Sequence, residues 1–285
     1  MNKKLIKKIY YFLIVITLTN SSCSSLKYLD AYNSHNSKPH KVESTFYRVV
    51  YVDSIPEEQK RSTYVTYFDS KGRSYKLEII NPDGKLRSEV LYKYDNQGNL
   101  LKELNFNVDG SLQYRLDNKY NRWGQRTEHT NTNPERKRKS INIISYNRKE
   151  KTAILDGKYD DGSFFDFVKI KYDNEWRRIE SISHDPSGNP TTIIRNIYDE
   201  RGNKTTSNWY NSNNVLSSYY ITNYNSENDK IRHQKFSLNN NGQMKIAFDE
   251  KYLYKYDDKG NWTEKTTFTD GKKTVITKKS IKYSN

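Results

Sequence analysis

The chain has 285 residues, 49 Lys and Arg against 34 Asp and Glu, a formal charge of +15, and an apolar share of only 33%. That balance would suit a disordered chain, but 25 Tyr, 10 Phe and 4 Trp are far more aromatic surface than disordered chains carry, and they favour half-buried pleated sheet. Alanine occurs only at Ala31, Ala153 and Ala247, so a mostly helical fold is excluded.

The first element is an export signal. Lys3, Lys4, Lys7 and Lys8 precede an apolar run from Ile9 to Leu18, and small polar residues follow as far as Ser22. About ten apolar residues are too few to span a bilayer, which takes ~20. Residues 1–22 are therefore expected to be a signal peptide. Without those four lysines, 45 basic residues face 34 acidic ones, an excess of +11. The basic residues are spread along the chain apart from Arg136 to Lys139, so a solvated surface is expected and nucleic acid is not. Cys23 is the only cysteine, so no internal disulfide is available. The segment before it resembles the lipobox of bacterial lipoproteins, with Ser21 and Ser22 in place and Asn20 where leucine is usual. The resemblance implies a lipidated Cys23 and a membrane partner reached through the lipid alone. Residues 23–45, rich in Ser, Asn, Lys and His, are expected to form a flexible tether.

From residue 46 to 285 a repeat takes over. Phe46 to Asp53 is expected as an opening strand and Val275 to Tyr283 as a closing one. Between them Phe68, Tyr94, Tyr120, Tyr146, Tyr172, Tyr198 and Tyr224 recur every 26 residues, each followed by Asp or Asn. A glycine stands four residues after the aromatic in four of the seven, at Gly72, Gly98, Gly124 and Gly202. An eighth unit, Tyr256 to Asn261, is displaced by six residues. A second turn signal, such as Asn81-Pro82-Asp83-Gly84 or Asp185-Pro186-Ser187-Gly188, falls about halfway through each unit. Residues alternate between the turns, as in Val168, Ile170 and Tyr172 against Lys169 and Lys171. One β-hairpin per repeat follows, with about sixteen strands in all. The expected fold is all-β: a long antiparallel meander of tandem hairpin repeats in a curled or spiral sheet, with the Phe68 to Tyr256 rings as its structural column.

The strings Tyr94 to Leu100, Tyr198 to Asn203 and Tyr256 to Trp262 resemble the YD (Rhs) repeat, over roughly Thr63 to Tyr283. The 26-residue period is longer than that family's usual twenty-odd. The resemblance implies a spiral of β-sheet, which in the family sometimes forms a hollow shell around a toxin. This chain looks too short to close a large shell, and no toxin domain is expected after the last repeat.

Little in the sequence suggests a reaction. The histidines, His35, His40, His129, His184 and His233, show no zinc spacing, and no phosphate loop or nucleophile elbow is present. His129 and His233 could approach each other only if the sheet closed. The Asp/Asn column reads as turn capping rather than a calcium ladder. No catalytic residue, cofactor or metal is expected. Trp123, Trp176, Trp209 and Trp262 are the candidate ligand platforms, set against a packing role. The expected function is a non-catalytic, lipid-anchored binding scaffold of the cell envelope, foremost the outer membrane, with a protein or glycan ligand. A carbohydrate-binding surface module, or a partner or immunity component of an antagonistic toxin system, is the alternative.

Overall fold

The structure is a computed structural model that describes residues 39–239 and 241–283. The expected signal peptide, Cys23 and the tether as far as residue 38 lie outside the described residues. Eighteen strands follow one another. The first six are β1 (Pro39–Val52), β2 (Ile55–Phe68), β3 (Ser74–Ile80), β4 (Leu86–Tyr94), β5 (Leu100–Asn107) and β6 (Leu112–Tyr120). The next six are β7 (Arg126–Asn133), β8 (Arg138–Asn147), β9 (Thr152–Tyr159), β10 (Phe164–Tyr172), β11 (Arg178–His184) and β12 (Pro190–Tyr198). The last six are β13 (Lys204–Asn211), β14 (Leu216–Tyr224), β15 (Lys230–Leu238), β16 (Met244–Tyr256), β17 (Trp262–Thr269) and β18 (Lys272–Tyr283). The opening strand begins at Pro39, so it includes the last residues of the expected tether.

Each hairpin turn is built by the residues that mark the repeat. Asp95 Oδ1 accepts the N–H groups of Gln97 and Asn99, and the Asp95 carbonyl accepts the Gly98 N–H. Gly98 sits at φ 90°, a backbone region that costs other residues about 1–2 kcal/mol. Where the repeat lacks glycine, Trp176 and Asn228 take the same place at φ 60° and 64°. The tyrosines then tie successive hairpins together. The hydroxyls of Tyr94, Tyr120, Tyr146, Tyr198 and Tyr224 each donate to the backbone carbonyl twenty residues earlier, at 2.8, 2.9, 3.1, 2.9 and 3.2 Å. In the displaced unit Tyr254 makes that bond, to the Lys230 carbonyl at 2.8 Å, and Tyr256 reaches Asp229 instead.

The sheet is closed, which corrects the expectation of an open curled or spiral sheet. β1 pairs with β2 on one side and with β18 on the other, from Pro39 opposite Tyr283 to Arg48 opposite Val275. The physical reason lies in the register. Ile144 pairs with Leu155, and Leu155 with Val168, a step of 24 residues where the sequence repeats every 26. The same step carries Val90 through Asn105 to Tyr114, and Ile170 through Ser181 to Ile194. Most turns are followed by a one-residue bulge, as at Lys93/Tyr94 and at Asn105/Phe106. Two bulges per hairpin supply the two-residue slide. A constant stagger of this kind tilts the strands and lets a twisted sheet meet itself. A round ring of eighteen strands, about 4.8 Å apart and tilted about 40°, is roughly 35 Å across between opposite backbones.

Closure defines an inner and an outer face. Tracing the pairs Val42–Thr66, Thr66–Leu77, Leu77–Val90 and Val90–Asn105 keeps to the face that carries the tyrosine column. That face is the inside. Its densest apolar patch is Ile144, Ala153, Leu155, Val168, Ile170 and Tyr172 on β8 to β10, backed by Tyr146 and Trp176. Every member comes from neighbouring strands, so the patch stiffens one arc of the wall and does not fill the interior.

Candidate functional site

The outer wall is charged halfway along its strands. Lys76 bridges Glu78 and Glu89 at 2.9 and 2.6 Å, Arg195 meets Glu180 at 2.8 Å, and Arg232 meets Asp249 at 2.6 Å. Isolated apolar residues such as Leu253 (62% exposed) and Ile197 (55%) stand between these pairs. A barrel that faces lipid presents an apolar band instead, and each basic residue at mid-membrane costs about 2–4 kcal/mol. This wall is built for water.

The inner wall is polar and divided by charge. Over β4 to β10 it carries Tyr92, Glu103, Tyr114, Asn118, His129 and Asp166. Tyr114 donates to Glu103 Oε1 at 2.6 Å, and the His129 ring nitrogen Nδ1 meets Asn118 Oδ1 at 2.8 Å. Burial raises the carboxyls of Glu103 and Asp166, and it raises the Tyr114 phenol to about 12 with help from Glu103. His129 is pushed down to about 4, by burial first and by Arg126 second.

Over β11 to β18 the inner wall is basic. Arg178, Lys204 and Lys230 open three alternate strands at one end of the barrel, across from Tyr172, Tyr198 and Tyr224. Lys235 pairs with Tyr220, Lys265 with Tyr254, and Lys279 with Ser44 on β1. All six are half-buried. Their charges press on one another. Burial lowers Lys204, with Arg178 and Lys230 adding to it, and it lowers Lys230 and Lys265. Lys279 is brought down to about 7 by burial and by Lys265. Glu250 and Asp229 are the acids that offset this group. His233 Nδ1 lies 2.9 Å from Thr222 Oγ1 amid Lys230, Lys204 and Glu250, and burial holds it at about 4.

The four tryptophans do not form one surface. Trp123 and Trp176 sit in turns at the tyrosine-column end of the barrel, with the Arg148 guanidinium 4.5 and 5.1 Å from their rings. Trp176 also packs on Tyr146 and Tyr172. Trp209 is inside, against Tyr220, and donates to Ser207 Oγ at 3.2 Å. Trp262 is inside too, edge-on to Tyr254 and with Lys279 Nζ 3.1 Å over its ring. Trp123 is the most open of them, 50% exposed. The Asp and Asn residues of the column hold their own turns through backbone N–H groups. Among the described residues no group of three or more His, Cys, Asp or Glu is placed to hold a metal ion. His129 and His233 share the inner wall but stand on β7 and β15, each with its own partner. Reading by sequence missed the lumen lysines, because nothing in one dimension separates Lys204 or Lys279 from the lysines outside. The alternation around them was visible, and it shows its meaning once the inner face is known.

No protein-family model matches this chain, and no curated protein matches it. Among solved structures it is similar to a porin-like protein from Bacteroides vulgatus, with 12% identity, 87% of this chain and 99% of that one covered, and a TM-score of 0.38. A porin-like protein from Bacteroides uniformis gives 9% identity, coverages of 86% and 96%, and a TM-score of 0.32. A chain described as a domain of an outer membrane lipoprotein-sorting protein, from Vibrio parahaemolyticus, gives 6% identity, coverages of 92% and 90%, and a TM-score of 0.25. None of these scores is high enough to carry a shared shape in detail, let alone a shared activity. The fold and lumen of this chain define it as a closed, water-facing antiparallel β-barrel with a polar interior.

Proposed function

We propose that this chain is a lipid-anchored protein of the cell envelope whose barrel is a non-catalytic binding scaffold, with the ligand taken up on the lumen wall. The observation that carries the reading is the placement of charge. Ion pairs stand on the outside, whereas the inside concentrates half-buried titratable side chains that the hairpins hold in position. A wall that spends burial on lysines and carboxyls instead of filling its interior with apolar side chains is organised around a polar guest. The lysines of the N-terminal segment, its apolar run and Cys23 support the anchor, and the Tyr-Asp turn strings support kinship with YD repeats.

The anchor is tested by expressing the full chain with a fatty-acid analogue. The wild type should be labelled and Cys23→Ser should not. Labelling that survives Cys23→Ser rejects the lipid anchor.

A further inference from the structure

The basic half of the lumen has more cation than the fold needs. On the outer wall Lys76, Lys119 and Lys255 each stand beside an acid, Lys76 beside Glu78 and Glu89, Lys119 beside Glu128 and Lys255 beside Glu264. Inside, from β11 round to β18, Lys204, Lys230, Lys265 and Lys279 succeed one another on one face with Glu250 and Asp229 as their offsetting acids; after burial, Lys230 makes Lys204 harder to protonate, and Lys265 does the same to Lys230 and Lys279. Crowding like charges at a wall that water only partly reaches costs folding energy. An anion placed among them would recover that cost.

We propose that this arc of the lumen, Lys204, Lys230, Lys265 and Lys279, is a binding site for an acidic sugar chain, one that carries carboxylate or sulfate groups among its hydroxyls. The assignment rests on the lumen-binding reading above and names its ligand. The charge complementarity is direct, since the lysines lie along one stretch of wall and can meet anionic groups spaced along a chain. The neighbouring side chains select the rest of the ligand. Asn196, Ser207, Thr222 and Tyr252 stand on the same face among the lysines, held by hydrogen bonds to the Arg178 carbonyl, Asn196, His233 and Glu250, and the polar wall they make suits a hydroxyl-rich guest better than an apolar one. Single-stranded nucleic acid calls for open aromatic faces on which bases stack. Here Lys279 covers the ring of Trp262, and the Tyr220 ring is stacked on His233 and packed against Trp209 and Phe248.

Two further consequences follow. An anion near Lys279 draws its ammonium off the indole, so Trp262 emission reports on the site. Lys279 faces Lys265 on β17, Ser44 on β1, Trp262 and Asp229, and of these Lys265 presses its proton off while Asp229 holds it on. Its titration near pH 7 makes binding take up protons and weaken as the pH rises from 6 to 9.

The test is calorimetric titration of the purified full chain with polygalacturonate and with heparin, at low salt. Neutral dextran and single-stranded DNA serve as the comparison ligands. Binding to an acidic polysaccharide is expected, with at least a tenfold loss in Lys204→Gln/Lys230→Gln/Lys265→Gln/Lys279→Gln. Removing half-buried cations relieves repulsion, so this variant should fold at least as well as the wild type. The control removes four outer lysines, Lys102, Lys119, Lys158 and Lys255, and should change affinity less than threefold. An equal loss in both variants, DNA binding as tight as polysaccharide, or no binding to either acidic polymer overturns the proposal. Those results leave the Cys23 labelling test untouched, so the anchored-barrel reading stands or falls separately.

Discussion

Ile276 is 1% exposed although it points outward from the wall, because β17 flanks it on one side and β1 on the other. Its cross-strand neighbours are Thr266 and Tyr47, and Lys278 lies over the Tyr47 ring while pairing with Glu58. In an open sheet β18 would be an edge and one flank of Ile276 would be bare. Truncation to alanine removes three carbons, about 2.4 kcal/mol at ~0.8 kcal/mol for each buried methylene. The unfilled space brings the cost into the range of about 2–5 kcal/mol seen for buried Ile→Ala changes. For a chain of this length each kcal/mol lowers Tm by roughly 2–4 °C, so Ile276→Ala should melt about 4–20 °C below the wild type. The assay is thermal unfolding by circular dichroism, with Leu253→Ala as the control. Leu253 is 62% exposed on the same outer wall, and its truncation should cost less than about 1 kcal/mol. Equal melting of the two variants would refute closure through β1 and β18.

Gly157 lies on the inner wall, and a Cβ there would stand 2.5 Å from Asn142 Oδ1, 2.9 Å from Phe165 and 3.2 Å from the Asp166 carbonyl. Gly157→Ala should therefore destabilise by about 1–3 kcal/mol, read as a lower urea midpoint with an unchanged slope; a neutral result would mean that β8 to β10 part easily. The inner histidines set an acid limb. His129 and His233 titrate near 4 in the folded barrel and near 6.5 when unfolded, so the unfolded state takes up protons first. Their contribution is intact above pH 6.5 and is lost as the pH falls towards 4. His129→Asn/His233→Asn should flatten the urea midpoint between those values, and an unchanged slope would count against burial of both rings.

The hairpins were legible because their causes are local. An aromatic, an Asx cap and a residue that accepts positive φ every 26 residues state a turn, and the alternation between turns states a strand; Asp95, Gly98 and Tyr94 do in space what their spacing says. The displaced unit was legible only in part, since the sequence marks Tyr256 while Tyr254 takes the column bond. Closure was not legible. It depends on a two-residue slide between the 26-residue period and the 24-residue pairing step, and single-residue bulges set that slide without leaving a sequence mark. The site follows closure: Lys204 on β13 and Lys279 on β18 share one face through the strands between them, and the ring that β1 completes with β18 is what makes that face an interior. The sequence alone determined the hairpin, its caps and its tyrosine ties, because those forces act within a few residues. Which face became an interior, and therefore which lysines crowd, was decided by the tertiary structure, because inside and outside exist only once the sheet has met itself.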